Sequence, residues 1–159
     1  MNSKLKLIVI TAGFFVIVAA RSRSAYGAPQ VGGCSMLTPA QIQKVIGQSF
    51  GAPTETKAPP AFAKQSWGSN CRYVSQTGSH STLTFIVYVD GSAAEAKQTF
   101  DKLAPWYTPK SKPAIGDSAY IDKGGAIHVL KGKVRYFIFL DRGNEKQVKD
   151  LAASVAARI

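Results

Sequence analysis

The sequence predicts an α+β fold: an antiparallel sheet of about five strands with helices packed on it, in the order α-ββ-α-βββ-α. Three observations predict it. Strand-length runs with a two-residue period stand in the second half of the chain, "TLTFIVYV" and "VRYFIFL" being the clearest. Three segments place helix-start residues ahead of an apolar period near 3.6 residues. Glycine-bearing turns of hairpin length join neighbouring strands, so they run antiparallel.

The first helix is "TPAQIQKVIG". Thr38 is a good N-cap, Pro39 suits the first helical position, and Gln41 completes a T-x-x-Q capping box. Ile42, Val45 and Ile46 form its apolar face, and Gly47 stops it. Residues 48–70 are rich in Gly, Pro, Ala and Lys without any period, and are expected to be a long loop. "CRYVSQTGSHSTLTFIVYVD" then predicts a hairpin turning at "SQTGSHS". Leu83, Phe85, Val87 and Val89 take one face of its second strand; Thr82, Thr84, Ile86 and Tyr88 take the other. That second face turns apolar toward its end, so the strand is central.

The second helix follows in "DGSAAEAKQTFDKLAP". Ser92 and Glu95 form an S-x-x-E capping box; Ala96, Phe100 and Leu103 recur at i, i+4, i+7; Pro105 ends it. "WYTPKSKPAIGD" reads as a loop. Three short strands come next, "SAYID", "AIHVL" and "VRYFIFLD", with Gly124, Gly125 and Gly132 at the turns. The last has Val134, Tyr136, Ile138 and Leu140 on one side and Arg135, Phe137 and Phe139 on the other, which makes it central too. Asn144 caps the final helix, whose stripe is Val148, Leu151, Ala152, Val155 and Ile159. "FIVYVDGSAAEAKQTF" and "YFIFLDRGNEKQVKDL" echo one another, Asp90 answering Asp141 and Ser92 answering Asn144, so a ββα pseudo-repeat is possible.

The N-terminus addresses the chain to an exported compartment. Lys4 and Lys6 precede an uncharged, mostly apolar run from Leu7 to Ala20, and Ala25-Tyr26-Gly27 offers small residues three and one before a cut. Residues 1–27 are therefore expected to be a signal peptide and residues 28–159 a single α+β domain, periplasmic or secreted. The run is short for a permanent anchor, although Arg21 and Arg23 behind it resist translocation. No acidic residue lies in 1–27, so removing its four basic ones lowers the net charge from +11 to +7. The remaining positive charge is dispersed.

Cys34 and Cys71 are the only cysteines. An even count in an exported chain favours one disulfide. Lipidation of Cys34 at "VGGC" is the alternative; it places the cysteine fourteen residues past Ala20 and leaves Cys71 unpaired. Free thiols are the third. The spacing is unlike C-x-x-C, which argues against redox catalysis.

No segment carries a catalytic signature. His80 and His128 are the only histidines, without H-x-x-H, H-E-x-x-H or a second cysteine pair, so no metal site is expected. G-x-S-x-G and Gly-rich phosphate loops are missing as well, and no cofactor is expected. Two surfaces remain. Trp106 and Tyr107 stand near Lys110 and Lys112, aromatics beside cations that suit a glycan or an anionic polymer, unless the rings plug the end of the core. Lys131, Lys133 and Arg135 at the last hairpin form the second, suited to anionic lipid or nucleic acid unless they serve as edge protection.

Taken in order, Cys34-Ser35-Met36-Leu37-Thr38 with Gly47, then Cys71-Arg72-Tyr73, then Ile115-Gly116-Asp117-Ser118-Ala119 resemble the pattern of small bacterial exported proteins and lipoproteins of unknown function, the DUF3558-like group. The resemblance implies an exported α+β domain with Cys34 bridged to Cys71. It implies no activity. Asp117, after Gly116, reads as a turn or cap residue.

The sequence therefore points to a non-enzymatic cell-envelope binding or interaction domain contacting its partner through Trp106, Tyr107, Lys110 and Lys112, with Trp67 a further candidate. The partner is an unknown envelope component or protein. Nucleic acid is not expected. Membrane contact is expected only with an uncleaved N-terminus or a lipidated Cys34, and the oligomeric state is open. The alternative is an envelope hydrolase with a site assembled across the sheet. A concave site holding His128 or His80 with Asp or Ser in hydrogen-bond reach favours the enzyme; a flat surface with an exposed Trp106 favours binding.

Overall fold

Among the described residues every strand pairing is antiparallel, and the pairing order follows from two hairpin ribbons, 67–74 with 82–89 and 127–131 with 134–140, meeting through the second strand of each. The computed structural model describes residues 32–59, 67–78 and 80–159. The expected signal segment 1–27, Lys64 in the expected loop and Ser79 in the expected turn lie outside the described residues. The helices are α1 (Pro39–Ile46), α2 (Ala93–Leu103) and α3 (Glu145–Ala156). The strands are β1 (Thr54–Lys57), β2 (Trp67–Val74), β3 (Thr82–Val89), β4 (Pro109–Ser111), β5 (Ser118–Asp122), β6 (Ile127–Lys131) and β7 (Val134–Leu140). They form one sheet in the order β1-β2-β3-β7-β6-β5-β4. Residues 33–36 and 104–107 are 3₁₀ turns.

The fold class is as expected, with seven strands in place of about five. The two additions are the edges, β1 and β4. β1 lies inside the expected 48–70 loop and is exposed at all four residues of "TETK". It pairs with β2 through its backbone and buries no side-chain face, so no apolar alternation marks it. β4 is three residues, "PKS", and a proline is tolerated in a strand when that strand is an edge. β2 also starts at Trp67, inside the same expected loop.

The helix starts follow their caps. Thr38 and Gln41 close a full capping box, as do Asn144 and Gln147, and Gly47 ends α1 in the left-handed region at φ 79°. Ser92 accepts from the Glu95 N–H at 3.1 Å, but the reciprocal Glu95 bond expected there is not formed. α3 ends at Ala156, and Ile159, expected in its buried stripe, is exposed.

Alternation sorts the strands into two faces. One face brings Tyr73, Phe85, Val87, Ile138 and Val129 together with Leu37, Ile42 and the α3 residues Val148, Leu151 and Val155 in one core. The Tyr136 hydroxyl donates to the Ala152 carbonyl at 2.7 Å and seats α3 on the sheet. Cys34 and Cys71 are bonded, S–S 2.06 Å, which ties the first 3₁₀ turn to β2. The turn lies so close to the sheet that a Cβ on Gly33 would stand 2.3 Å from the Val87 side chain. The opposite face carries α2, whose Ala96 and Phe100 pack on Tyr120 and Leu130.

That division breaks the pseudo-repeat. Its two hairpins do flank the centre of the sheet, but α2 and α3 pack on opposite faces. Asp90 is buried, whereas its counterpart Asp141 is exposed. The last hairpin, β6–β7, is interior to the sheet, so its cations protect no edge.

Candidate functional site

The α2 face is built from two cross-strand rows. Register aligns Ile86 of β3 with Phe137 of β7, Phe137 with His128 of β6, and His128 with Tyr120 of β5. Two residues along, Tyr88 pairs with Arg135 and Arg135 with Leu130. Side chains two apart on a strand share a face, so both rows point at α2. α2 reaches β6 and β7. Where it leaves the rows, a cavity of about 170 Å³ opens, lined on the strand side by Ile86, Tyr88, Tyr120, His128, Arg135 and Phe137, and capped by Phe100 and Leu103 of α2 and by Tyr107.

His128 sits at the centre of a ring cluster. Tyr120 stacks on it with centroids 4.5 Å apart and planes 16° apart. Tyr107 tilts over it at 4.3 Å, and Phe137 meets it edge-on at 5.0 Å. His128 Nε2 lies 3.0 Å from Asp122 Oδ2, while Asp122 Oδ1 accepts the Ala126 N–H at 3.0 Å. A carboxylate only accepts, so Nε2 is the protonated nitrogen of the neutral ring. Burial pushes the imidazole below its ordinary 6.5, against the opposing pull of Asp122. Burial also raises the Tyr120 and Tyr88 hydroxyls, so both stay protonated near neutrality.

A second buried pair lies one row away. Arg135 donates through Nε and Nη2 to Asp90 Oδ2 and Oδ1 at 2.5 and 3.0 Å. The Asp90 side chain is fully buried and that of Arg135 is 6% exposed. Tyr88 covers the guanidinium with its ring, 4.9 Å from centroid to Cζ.

The expected site residues divide. Trp106 is 76% exposed and directed outward, while its neighbour Tyr107 turns in over His128. The following Thr108 has φ 51°, a left-handed conformation uncommon for a β-branched residue. Lys110 lies 3.6 Å from Glu145 and Lys112 is exposed. Among these four, Tyr107 alone lines the cavity. Trp67 starts β2, toward the opposite edge of the sheet from β4. His80 is exposed in the β2–β3 turn.

The last-hairpin cluster is not one surface. Arg135 is buried against Asp90, Lys131 lies 3.2 Å from Asp117, and Lys133 is exposed. Asp117 also accepts the Gly132 N–H at 2.6 Å, and that bond, then Lys131, holds its carboxyl below the usual range; it closes the turn, as its sequence position suggested. The Cys34 and Cys71 sulfurs lie near a Glu55 oxygen, but as a disulfide they present no thiolate to a metal.

Both marks set out from the sequence are therefore present: a concave site with His128 on Asp122, and an exposed Trp106. The cavity lining, among the described residues, consists of aromatic rings, two aliphatic chains, one guanidinium and one imidazole.

Among the described residues no helix is long and apolar enough to cross a membrane. No protein-family model and no curated protein matches the chain, so the likeness to the DUF3558-like group rests on its short motifs. Among solved structures, the extracellular domain of PknH from Mycobacterium tuberculosis superposes with a TM-score of 0.52, over 78% of this chain and 92% of that domain, at 9% identity. At that identity the likeness is one of fold: the chain shares its α+β architecture with the extracellular domain of a mycobacterial PknH.

Proposed function

We propose that this chain is an exported, non-enzymatic binding domain of the bacterial cell envelope, and that it binds on the α2 side of its sheet. The observation that carries the reading is the cavity closed by Tyr107, with the exposed Trp106 beside it at the end of α2. Export is supported by the signal-like N-terminus, by the disulfide, which persists in oxidising compartments, and by a fold shared with an extracellular domain. The mature protein is proposed to start at Ala28.

Pull-down from envelope extracts tests the binding face. Wild type and Lys133→Ala should recover a component that Trp106→Ala or Tyr107→Ala loses. Equal recovery by all four sinks the reading. A second reading, an envelope hydrolase, has the Asp122–His128 pair in its favour. It requires ester or amide turnover that disappears in His128→Gln.

A further inference from the structure

We propose that the α2-side cavity is a site for one flat aromatic ring bearing an anionic or strongly accepting group, of the benzoate type. The inference rests on the binding-face reading above and names the ligand chemistry of that face.

Size sets the first limit. A cavity of about 170 Å³ has room for one ring and a few further atoms, since an apolar cavity of about 150 Å³ holds a benzene. Wall shape sets the second. Tyr88 and Phe137 rise from the sheet, Phe100 descends from α2, and Tyr107 closes the edge. Flat rings on several sides favour a flat guest, which can stack or meet them edge-on.

The charge on the walls selects among flat guests. Two acid–base pairs adjoin the cavity, and both are oriented alike: Arg135 and His128 line it, while neither Asp90 nor Asp122 does. Each carboxylate lies behind its partner. A guest therefore meets a guanidinium, a neutral imidazole and tyrosine rings, with no carboxylate among the described residues of the wall. An aromatic cage for a quaternary ammonium would want the reverse, since a cation would lie against Arg135. The Nε and Nη2 positions are held by Asp90, which fixes the guanidinium plane before any guest arrives; an anionic group on the ring would take a charge-assisted bond from a donor already oriented.

The test is NMR titration of the mature exported protein with benzoate, benzyl alcohol, cyclohexanecarboxylate and benzyltrimethylammonium. Benzoate should shift the Arg135 side-chain and His128 ring signals and bind at least about ten-fold more tightly than benzyl alcohol or cyclohexanecarboxylate. Ile86→Phe, which fills the cavity from β3, should abolish the benzoate shifts while leaving the thermal melt in place. Tighter binding of benzyltrimethylammonium overturns the ligand class and leaves the binding face standing. Silence from all four probes, with Trp106→Ala still losing its envelope partner, overturns the cavity site alone. Silence together with unchanged pull-downs overturns both readings.

Discussion

The two faces of the sheet are finished in different ways. On one face, α1, α3 and a disulfide-tied 3₁₀ turn cover a core in which Leu37, Ile42, Phe85, Ile138 and Leu151 are essentially inaccessible. Its polar atoms serve to join elements: the Tyr73 hydroxyl donates to the Leu37 carbonyl at 2.5 Å, and Tyr136 holds Ala152. Among the described residues, the other face has one α-helix for the same width of sheet. It keeps one buried ion pair, Asp90–Arg135, a buried hydrogen-bonded His128–Asp122 pair, a ring cluster and a cavity. A closed apolar face stabilises; a face left partly open, with oriented polar groups at its wall, is the arrangement from which binding sites are made.

The difference can be broken from the closed side first. Cys34→Ser/Cys71→Ser should lower stability by about 4 kcal/mol on loop-entropy grounds, read as a shift in the urea midpoint; a loss under about 1 kcal/mol would show that packing alone holds the first 3₁₀ turn. On the open side, Arg135→Met strips a buried carboxylate of its guanidinium and should cost about 3 kcal/mol or more. The double change Asp90→Leu/Arg135→Met should recover most of that. If the two single losses simply add, the pair does not act as a unit.

Overpacking gives a smaller contrast. Val155→Phe on the closed face should cost about 1–3 kcal/mol, whereas Ile86→Phe beside the cavity should leave the thermal midpoint nearly unchanged. Similar losses at both would mean the cavity closes up in solution. The finest contrast is in pH. The folded His128 pKa lies below its ordinary 6.5, so as pH falls through that value the unfolded chain takes up its proton first and stability drops. His128→Gln should flatten that part of the stability–pH curve. A curve of unchanged slope would place the acid sensitivity elsewhere.

Much of the interior was legible before the coordinates. The alternation of "TLTFIVYV" and "VRYFIFL" assigned the faces of β3 and β7 correctly, because burial of one face imposes the period. Thr38, Ser92 and Asn144 mark their helix starts because their oxygens meet local backbone donors. The edges were not legible, since "TETK" and "PKS" are held by backbone pairing and bury no face. The candidate site was half legible. Trp106 and Tyr107 stood out as an aromatic pair, but adjacent residues in a tight turn point apart, and only Tyr107 reaches the cavity. Arg135 looked like part of a surface basic cluster; its position on the same side of its strand as Phe137 and Phe139 did place it on the α2 face, and that signal would have located it in the wall.

By itself, the sequence determined an antiparallel α+β domain, the starts of its three helices, the inward and outward residues of its central strands and the two cysteines available for a bridge. These are local properties: caps, turns and periodicity act over a few residues. The tertiary structure decided that β3 pairs with β7, at a register placing Ile86, Phe137, His128 and Tyr120 in one row, and that α2 packs over that face. Strands separated by a helix and three intervening strands are aligned by shared burial and backbone pairing across the whole sheet, and no local pattern carries that information. The cavity, with the Arg135 guanidinium and the neutral His128 imidazole each hydrogen-bonded to a carboxylate that does not line it, exists only as a consequence of that alignment.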